Sequence, residues 1–453
     1  MAFMLGQDYD AVAKNNNQKR AFLFMSIFKA YDIRGVYPQE INEEIAERLG
    51  RAIARYFRTT IVVGKDTRLS SDPIFEGFAK GVNEEGFDVV DVGVIDSPGL
   101  YFATAHYGFG AGVMITASHN PKEYNGMKLC REQAIPVGSD SGLKKIEEIF
   151  ENMPVFSGSK HRGKITKKDV MDDYADHLLR FYKGKEKGDV TIDCSNGAAS
   201  MIVHKLLERG LKLTVINDEM DGNFPAHEPN PLKEENMRQL KERAGGGLGI
   251  CFDGDGDRVG VVYNGETIRN DFLTAIIARE LLIKNPGATV LYDLRSSRVV
   301  KEEIEAAGGK AMMCRVGHAF IKKQMREENA LFAGELSGHF YYRDNYFADS
   351  GPITMLLLLG MERIETSGLK RYFPSGEINA DVKDPQAALK RVEEKFAGKG
   401  KMLYLDGISF EGADYWFNVR PSNTEPLVRI NVESSNKERT QAVVKLLQNI
   451  LGQ

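Results

Sequence analysis

The sequence predicts an α/β protein: three related mixed α/β domains followed by a smaller C-terminal α+β domain. Three observations predict it. The chain has 453 residues, and a prior of about 150 residues per domain suggests three domains. A unit of strand, polar turn, helix and strand recurs three times at matching places. Beyond about residue 370 that unit gives way to a helix among short strands. The expected boundaries are an N-terminal tail and lead-in over 1–28, then domains over 29–157, 158–262, 263–370 and 371–453.

Each repeat opens on an apolar run that stops at an aspartate in a polar turn. Ile61-Val62-Val63 runs into Gly64-Lys65-Asp66-Thr67-Arg68, Val190-Thr191-Ile192 into Asp193, and Val290-Leu291-Tyr292 into Asp293. A helical pattern follows each. In the first, Asp72-Pro73 reads as N-cap and first-turn proline, with Ile74, Phe75, Phe78 and Val82 on the apolar face. Ile202, Val203, Leu206 and Leu207 form the second face, stopped by Gly210; Val299, Val300, Ile304 and Ala307 form the third, stopped by Gly308. Second strands are expected over 87–92, 211–216 and 310–316.

A third apolar run in each repeat, over 111–115, 248–252 and 330–333, leads to an unusual loop at 116–121, 253–258 and 334–339. Strands alternating with helices imply crossovers in a parallel or mixed sheet, and ligands bind beyond the carboxyl ends of such strands. The three loops are therefore expected to face one shared cleft. In the last domain, 373–376 reads as a linker and 385–396 as a helix with Ala388, Leu389, Val392 and Phe396 on one face. Strands are expected near 402–405, 414–419 and 426–432, and a closing amphipathic helix over 438–451.

Composition excludes several classes. Hydrophobic residues are 42% and charged residues 27%, the balance of a soluble globular chain. Lys plus Arg is 60 against 64 Asp plus Glu, so neither a nucleic-acid nor a membrane-surface partner is expected. The uncharged stretch 350–361 is too short to span a bilayer, and 21–28 lacks the cleavage site of a signal peptide. Cys130, Cys194, Cys251 and Cys314 form no CxxC pair, which fits a reduced, cytoplasmic setting without zinc or disulfides. Glycine is over-used, at 45 residues, as expected of a chain with many tight loops near a ligand.

The loops carry the chemistry. Asp253, Asp255 and Asp257 alternate with Gly254 and Gly256, so three carboxylates can converge, and their hard oxygens suit Mg²⁺. An EF-hand is excluded, because its sixth and twelfth positions here are Arg258 and Asn264. Thr116-Ala117-Ser118-His119-Asn120-Pro121 lacks the Gly-x-Ser-x-Gly elbow, and neighbours in sequence seldom form a nucleophile–base pair. A serine opposite three metal-binding carboxylates suits phosphoryl transfer instead. Glu335 and Ser337, flanked by Gly334 and Gly338, offer an acceptor and a donor for vicinal sugar hydroxyls. Arg420, Ser422, Asn423 and Thr424, with Arg429 on the next strand, suit a phosphate dianion. No P-loop or dinucleotide fingerprint occurs; Gly108-Phe109-Gly110-Ala111-Gly112 has the wrong spacing.

In this order, Thr-Ala-Ser-His-Asn-Pro, Asp-Gly-Asp-Gly-Asp-Arg, Gly-Glu-x-Ser-Gly-His and Arg-x-Ser-Asn-Thr make the chain resemble the α-D-phosphohexomutase superfamily. It is most similar to the bacterial phosphomannomutase/phosphoglucomutase branch, from about Tyr31 to the C-terminus. The resemblance implies four domains around a central cleft, with Ser118 as the phosphoserine. It implies Mg²⁺ held by Asp253, Asp255, Asp257 and the phosphate on Ser118. Glu335 and Ser337 would grip the sugar, and Arg420, Ser422, Asn423, Thr424 and Arg429 the phosphate that is not reacting. Tyr31-Asp32-Ile33-Arg34-Gly35 looks like the family's N-terminal motif, placing Tyr31 and Arg34 in the cleft. Lys128 and His318 resemble residues of proton transfer or substrate positioning. His119 joins the catalytic set, and Arg258 and His339, which close their motifs, join the substrate-binding set.

The activity implied by the resemblance is interconversion of hexose 1-phosphate and hexose 6-phosphate, of mannose or glucose, through a hexose 1,6-bisphosphate. Glucose 1,6-bisphosphate or mannose 1,6-bisphosphate would be the activator. Expected partners are small hexose phosphates, with no nucleic acid and no membrane; the sequence leaves the oligomeric state open. The alternatives are a phosphoglucosamine mutase, a Mg²⁺-dependent phosphatase, and a non-catalytic sugar-phosphate-binding protein of the same fold. The Glu335–Ser337 loop tilts against an amino sugar, and Ser118 with three aspartates against simple binding.

Overall fold

The computed structural model describes residues 27–153, 161–184, 189–421 and 427–452. The tail, most of the lead-in, and Ser422, Asn423 and Thr424 of the expected phosphate loop lie outside the described residues.

The three repeats share one strand order. In the first, Ile61–Lys65 pairs in parallel with Val89–Val94 on one side and Ala111–Ile115 on the other. In the second, Val190–Asp193 lies between Thr214–Ile216 and Leu248–Phe252, again parallel. In the third, Thr289–Asp293 lies between Lys310–Cys314 and Phe332–Gly334. The first strand is central each time, and the loop singled out in the sequence leaves the carboxyl end of the third. In the first two sheets an antiparallel strand adjoins the third strand of the repeat: Tyr124–Arg131 beside Ala111–Ile115, and Val259–Tyr263 beside Leu248–Phe252. The last sheet is wholly antiparallel, in the order Phe373–Asp381, Leu427–Ser434, Tyr415–Pro421, Ile408–Glu411, Lys401–Leu403. Helices Pro385–Phe396 and Lys437–Leu451 contribute Val392, Phe396 and Leu447 to its core.

Packing divides the chain into two compact units, Met1–Thr267 with His339–Glu362, and Ile268–Gly338 with Arg363–Gln453. The first unit thus includes the hairpin Phe340–Tyr342/Ala348–Asp349 and the fully buried helix Gly351–Gly360. Strand Ile165–Lys167, read with the second domain, hydrogen-bonds to Val89–Asp91 of the first sheet. Helices Glu43–Phe57 and Ser71–Glu84 touch backbone to backbone: a Cβ at Gly50 would meet Phe78 O at 2.2 Å, at Gly77 Glu43 O at 2.4 Å, and at Gly81 Glu47 O at 2.0 Å. No helix among the described residues is long and apolar enough to cross a membrane.

Two local readings are corrected. The first repeat's helix starts at Ser71 with Ser70 in the cap position, not Asp72. Ser71 is drawn in because its Oγ donates to Asp66 Oδ1 at 2.7 Å, and Asp72 instead pairs with Lys65 at 2.9 Å. Residues 373–376 are no linker but the start of an edge strand, where an irregular register between Pro374 and Glu377 accommodates Ser375 and Gly376 at φ 72°. An edge position and a bulge are where a sheet tolerates proline and glycine.

Candidate active site

The aspartate that ends each first strand is buried, and it accepts from the backbone N–H two residues on. Asp66 accepts from Arg68 at 3.0 Å, Asp193 from Ser195 at 2.9 Å and Asp293 from Arg295 at 2.8 Å. Each also faces a basic side chain: Arg68, His227 or Arg295. The same residues tie down the neighbouring loop. Thr116 Oγ1 donates to Asp66 at 2.7 Å, Ser195 Oγ to Phe252 O at 2.6 Å, and Leu336 N to Asp293 at 3.1 Å.

The first of these supports Ser118. Arg68, wholly buried with Asp66, donates to the carbonyls of Ser118 at 2.8 Å, Asn120 at 2.7 Å, Pro121 at 2.7 Å and Tyr124 at 3.0 Å. One guanidinium thus fixes the loop from beneath. Ser118 is buried and adopts φ 52°, a left-handed conformation that costs a non-glycine residue about 1 kcal/mol or more. Its N–H donates to Thr116 Oγ1 at 2.8 Å, and its Oγ to Asp253 Oδ2 at 2.8 Å. Contrary to the rule for sequence neighbours, His119 Nδ1 lies 3.3 Å from Ser118 Oγ. Burial, with Arg258 and Arg34 nearby, pulls His119 down to about 2, so the imidazole is neutral. Arg34 reaches the same loop, donating to Asn120 Oδ1 at 2.7 Å, and is also paired with Asp32.

Asp253, Asp255 and Asp257 are at most 2% exposed, and each offers an oxygen within 4.8 Å of the others. Gly256, at φ 71°, supplies the turn that brings them together. Lys128, from the strand beside Ser118's, sends its ammonium to Asp255 Oδ2 at 2.6 Å and to Asp257. Burial and the charges of Asp257 and Asp255 hold Asp253 well above the usual carboxylate range. Against burial, Lys128 and His339 hold Asp257 well below it. His339 Nε2 lies 3.2 Å from Asp257 Oδ1, and Arg258 Nε donates to His339 at 3.2 Å. Asp255 Oδ1 is buried without a hydrogen-bond partner. A hard-oxygen triad with one orphaned oxygen, and more negative charge than Lys128 balances, fits a bound metal cation.

The first unit therefore gathers Ser118, His119, Lys128, Arg34, Arg258, His339 and the three aspartates. Tyr31 lies just before its first strand. The second unit holds the others. Glu335 is buried and lies 3.5 Å from Arg295; Gly338 N donates to its carbonyl at 3.0 Å. Ser337 is in the same turn, and His318 is the first residue of helix His318–Glu327. Arg420 and Arg429 face each other across two strands. Glu377, a residue the sequence reading missed, sits against both, 2.6 Å from Arg420 and 3.7 Å from Arg429. Arg68 and Asp66 were missed as well; their signal was the aspartate at the end of every first strand.

Repeated α/β domains, with a buried serine aimed at a carboxylate triad, define a phosphoryl-transfer enzyme. Comparison with known proteins narrows the class. The family models for phosphoglucomutase/phosphomannomutase match in chain order: alpha/beta/alpha domain I over 25–154, domain II over 172–266, domain III over 269–372 and the C-terminal domain over 377–449. The chain is 39% identical to a phosphomannomutase of Escherichia coli (strain K12), over 93% of this chain and 99% of that one. It is 39% identical to a phosphomannomutase of Methanocaldococcus jannaschii, over 94% and 98%. The crystal structure of a phosphoglucomutase/phosphomannomutase family protein from Burkholderia thailandensis matches with a TM-score of 0.86 at 30% identity, over 94% of this chain and 97% of that one. The chain belongs to the phosphoglucomutase/phosphomannomutase family, and it is a phosphohexomutase, an isomerase.

Proposed function

We propose that the chain interconverts the 1- and 6-phosphates of mannose and glucose through phospho-Ser118 and a hexose 1,6-bisphosphate. The observation that carries this is the buried Ser118 hydroxyl, 2.8 Å from Asp253 at the edge of a carboxylate triad. The relatives named phosphomannomutase support mannose phosphate as a substrate.

A sugar hydroxyl attacks the phosphorus of phospho-Ser118. The new O–P bond forms as the P–Oγ bond breaks, and the hydroxyl proton passes to a base of the protein. After the bisphosphate turns over, Ser118 Oγ attacks the other phosphate, the sugar O–P bond breaks, the base returns its proton to the freed sugar oxygen, and the isomeric monophosphate leaves. Asp253, Asp255 and Asp257 would hold Mg²⁺, which when bound draws charge from the transferring phosphoryl group. Arg34 and Lys128 bring positive charge to the same place. His119 stays neutral beside Ser118, and Arg258 and His339 orient the substrate. Glu335 and Ser337 take the sugar hydroxyls. Arg420 and Arg429, with Ser422, Asn423 and Thr424, hold the distal phosphate. Glucose 1,6-bisphosphate or mannose 1,6-bisphosphate would phosphorylate Ser118 at the outset. Four buried cysteines, none joined in a disulfide, accord with a cytoplasmic setting.

The test is turnover of mannose 1-, glucose 1- and glucosamine 1-phosphates with a trace of glucose 1,6-bisphosphate. Ser118→Ala is expected to abolish it in a folded protein. Near-normal turnover by that variant would overturn the proposal, and a preference for glucosamine 1-phosphate would reassign the substrate.

A further inference from the structure

The second unit contains a cavity of about 270 Å³ that none of the proposed chemistry uses. It lies where the third repeat meets the last sheet. Tyr292, Leu294 and Ser296 line it in alternation along one strand and its extension, and Met312 and Met313 come from the edge strand beside it. Leu403, Phe410 and Trp416 close the other side. The junction is built rather than incidental. Arg298 donates to the carbonyls of Gly412 and Tyr415 at 3.0 Å, while Arg298 N and Trp416 Nε1 both donate to Glu433 Oε1, at 3.0 and 2.9 Å.

Two polar atoms break the apolar lining. Ser296 is 4% exposed, and its Oγ is buried without a hydrogen-bond partner; Arg298 Nε is in the same position. Leaving such groups unmet is costly, so donors of this kind call for an acceptor. The charges on the rim are Lys301, Lys401, Arg298 and Glu411. Arg298 bonds to carbonyls rather than a carboxylate, Lys401 has no carboxylate within 4.0 Å among the described residues, and Lys301 has only Glu305, at 4.0 Å. The rim is therefore net positive. An engineered cavity of about 150 Å³ holds benzene, so this one has room for a two-ring body. A hexose would bury hydroxyls against Met312, Met313, Leu403 and Phe410 without partners, which excludes the substrate class.

We propose that this cavity is a second ligand site, for a small anion with a flat aromatic body. Its ring packs between the methionines and Trp416, and its acid group accepts from Ser296 and Arg298.

Trp416 is the only tryptophan of the chain, so it marks the site. The probe is 8-anilinonaphthalene-1-sulfonate, titrated into the full-length enzyme with tryptophan excitation and naphthalene emission. One saturable site is expected, undisturbed by saturating mannose 1-phosphate. Lys401→Glu should weaken it about five-fold, and Leu403→Trp, which fills the space, should abolish binding measured by direct probe excitation. Both variants should keep normal mutase turnover. Lys401 is exposed and lies opposite Glu411 across two strands, so urea unfolding of Lys401→Glu, expected to keep its midpoint close to that of the wild type, separates lost binding from lost stability. Absence of saturable binding, displacement by mannose 1-phosphate, or equal affinity in both variants would each overturn the proposal.

Discussion

Replacing Arg68 by glutamine isolates what holds the Ser118 loop. The substitution removes the charge that faces Asp66, whose side chain is 0% exposed like that of Arg68. It also strips donors from the carbonyls of Ser118, Asn120, Pro121 and Tyr124. Breaking a buried pair by removing one partner costs about 3–5 kcal/mol, a large share of the roughly 5–15 kcal/mol that holds most domains. Burial already pushes Asp66 up and Arg68 down, and their mutual attraction opposes both. The stranded Asp66 should therefore take up a proton, and part of the cost returns. Asp66→Asn combined with Arg68→Gln should recover only part of the stability, because no buried charge is left alone but the stripped carbonyls still lack donors. It should not recover the loop, whose four carbonyls still lack their guanidinium. Urea unfolding measures the first effect. The rate at which glucose 1,6-bisphosphate phosphorylates Ser118, read by intact mass, measures the second. If Arg68→Gln unfolds within about 1 kcal/mol of the wild type, or if the double variant is phosphorylated at the normal rate, the reasoning fails.

Other consequences are as direct. Gly81→Ala puts a Cβ 2.0 Å from Glu47 O and must push the two helices apart; a loss of about 1–3 kcal/mol in urea unfolding is expected, and a neutral result would show that the helices slide freely. Glu377→Gln removes the carboxylate that Arg420 and Arg429 share, so inorganic phosphate should bind more tightly by calorimetry; weaker binding would mean that Glu377 serves only to aim the arginines. Asp96 is raised by burial from 3.8 to about 8. Between those values the folded chain keeps a proton that the unfolded chain has lost, so stability should fall as pH rises through the window. Asp96→Asn should flatten that fall, measured by urea unfolding near pH 5 and pH 8, and an unchanged slope would assign it to other groups.

The repeat was legible because its signals are local. An aspartate ending an apolar run, and a glycine stopping a helix at Gly210 and Gly308, are written in neighbouring residues. The shared strand order was not, since it depends on which strands pair across long stretches of chain, as Ile61–Lys65 does with Ala111–Ile115. The same limit hid Arg68, whose partners lie at 118–124 and look like plain turn carbonyls until the loop folds over it. Glu377 was hidden by a different error. With 373–376 read as a linker, its strand had no place in a sheet, and nothing aligned it with Arg420 and Arg429. The carboxylate triad needed no long-range information, because three aspartates alternate with Gly254 and Gly256 within five residues.

The net charge of the chain, −4 overall, averages over two local clusters of opposite sign, each with its own counterion. In the first unit Lys128 lies on Asp255 and Asp257; in the second Glu377 lies on Arg420 and Arg429. A buried charge left alone is costly, so each site needs an ion of opposite sign before any ligand arrives. At Arg420 and Arg429 an arriving phosphate would compete with Glu377 for the same guanidinium groups. Binding then exchanges one counterion for another rather than desolvating a bare charge, which limits its net strength. Weak but specific holding suits the proposed cycle, in which a phosphate is gripped, released and taken again from the other end of the sugar. It also explains why the departure of Glu377, rather than the arrival of phosphate alone, should set affinity at Arg420 and Arg429.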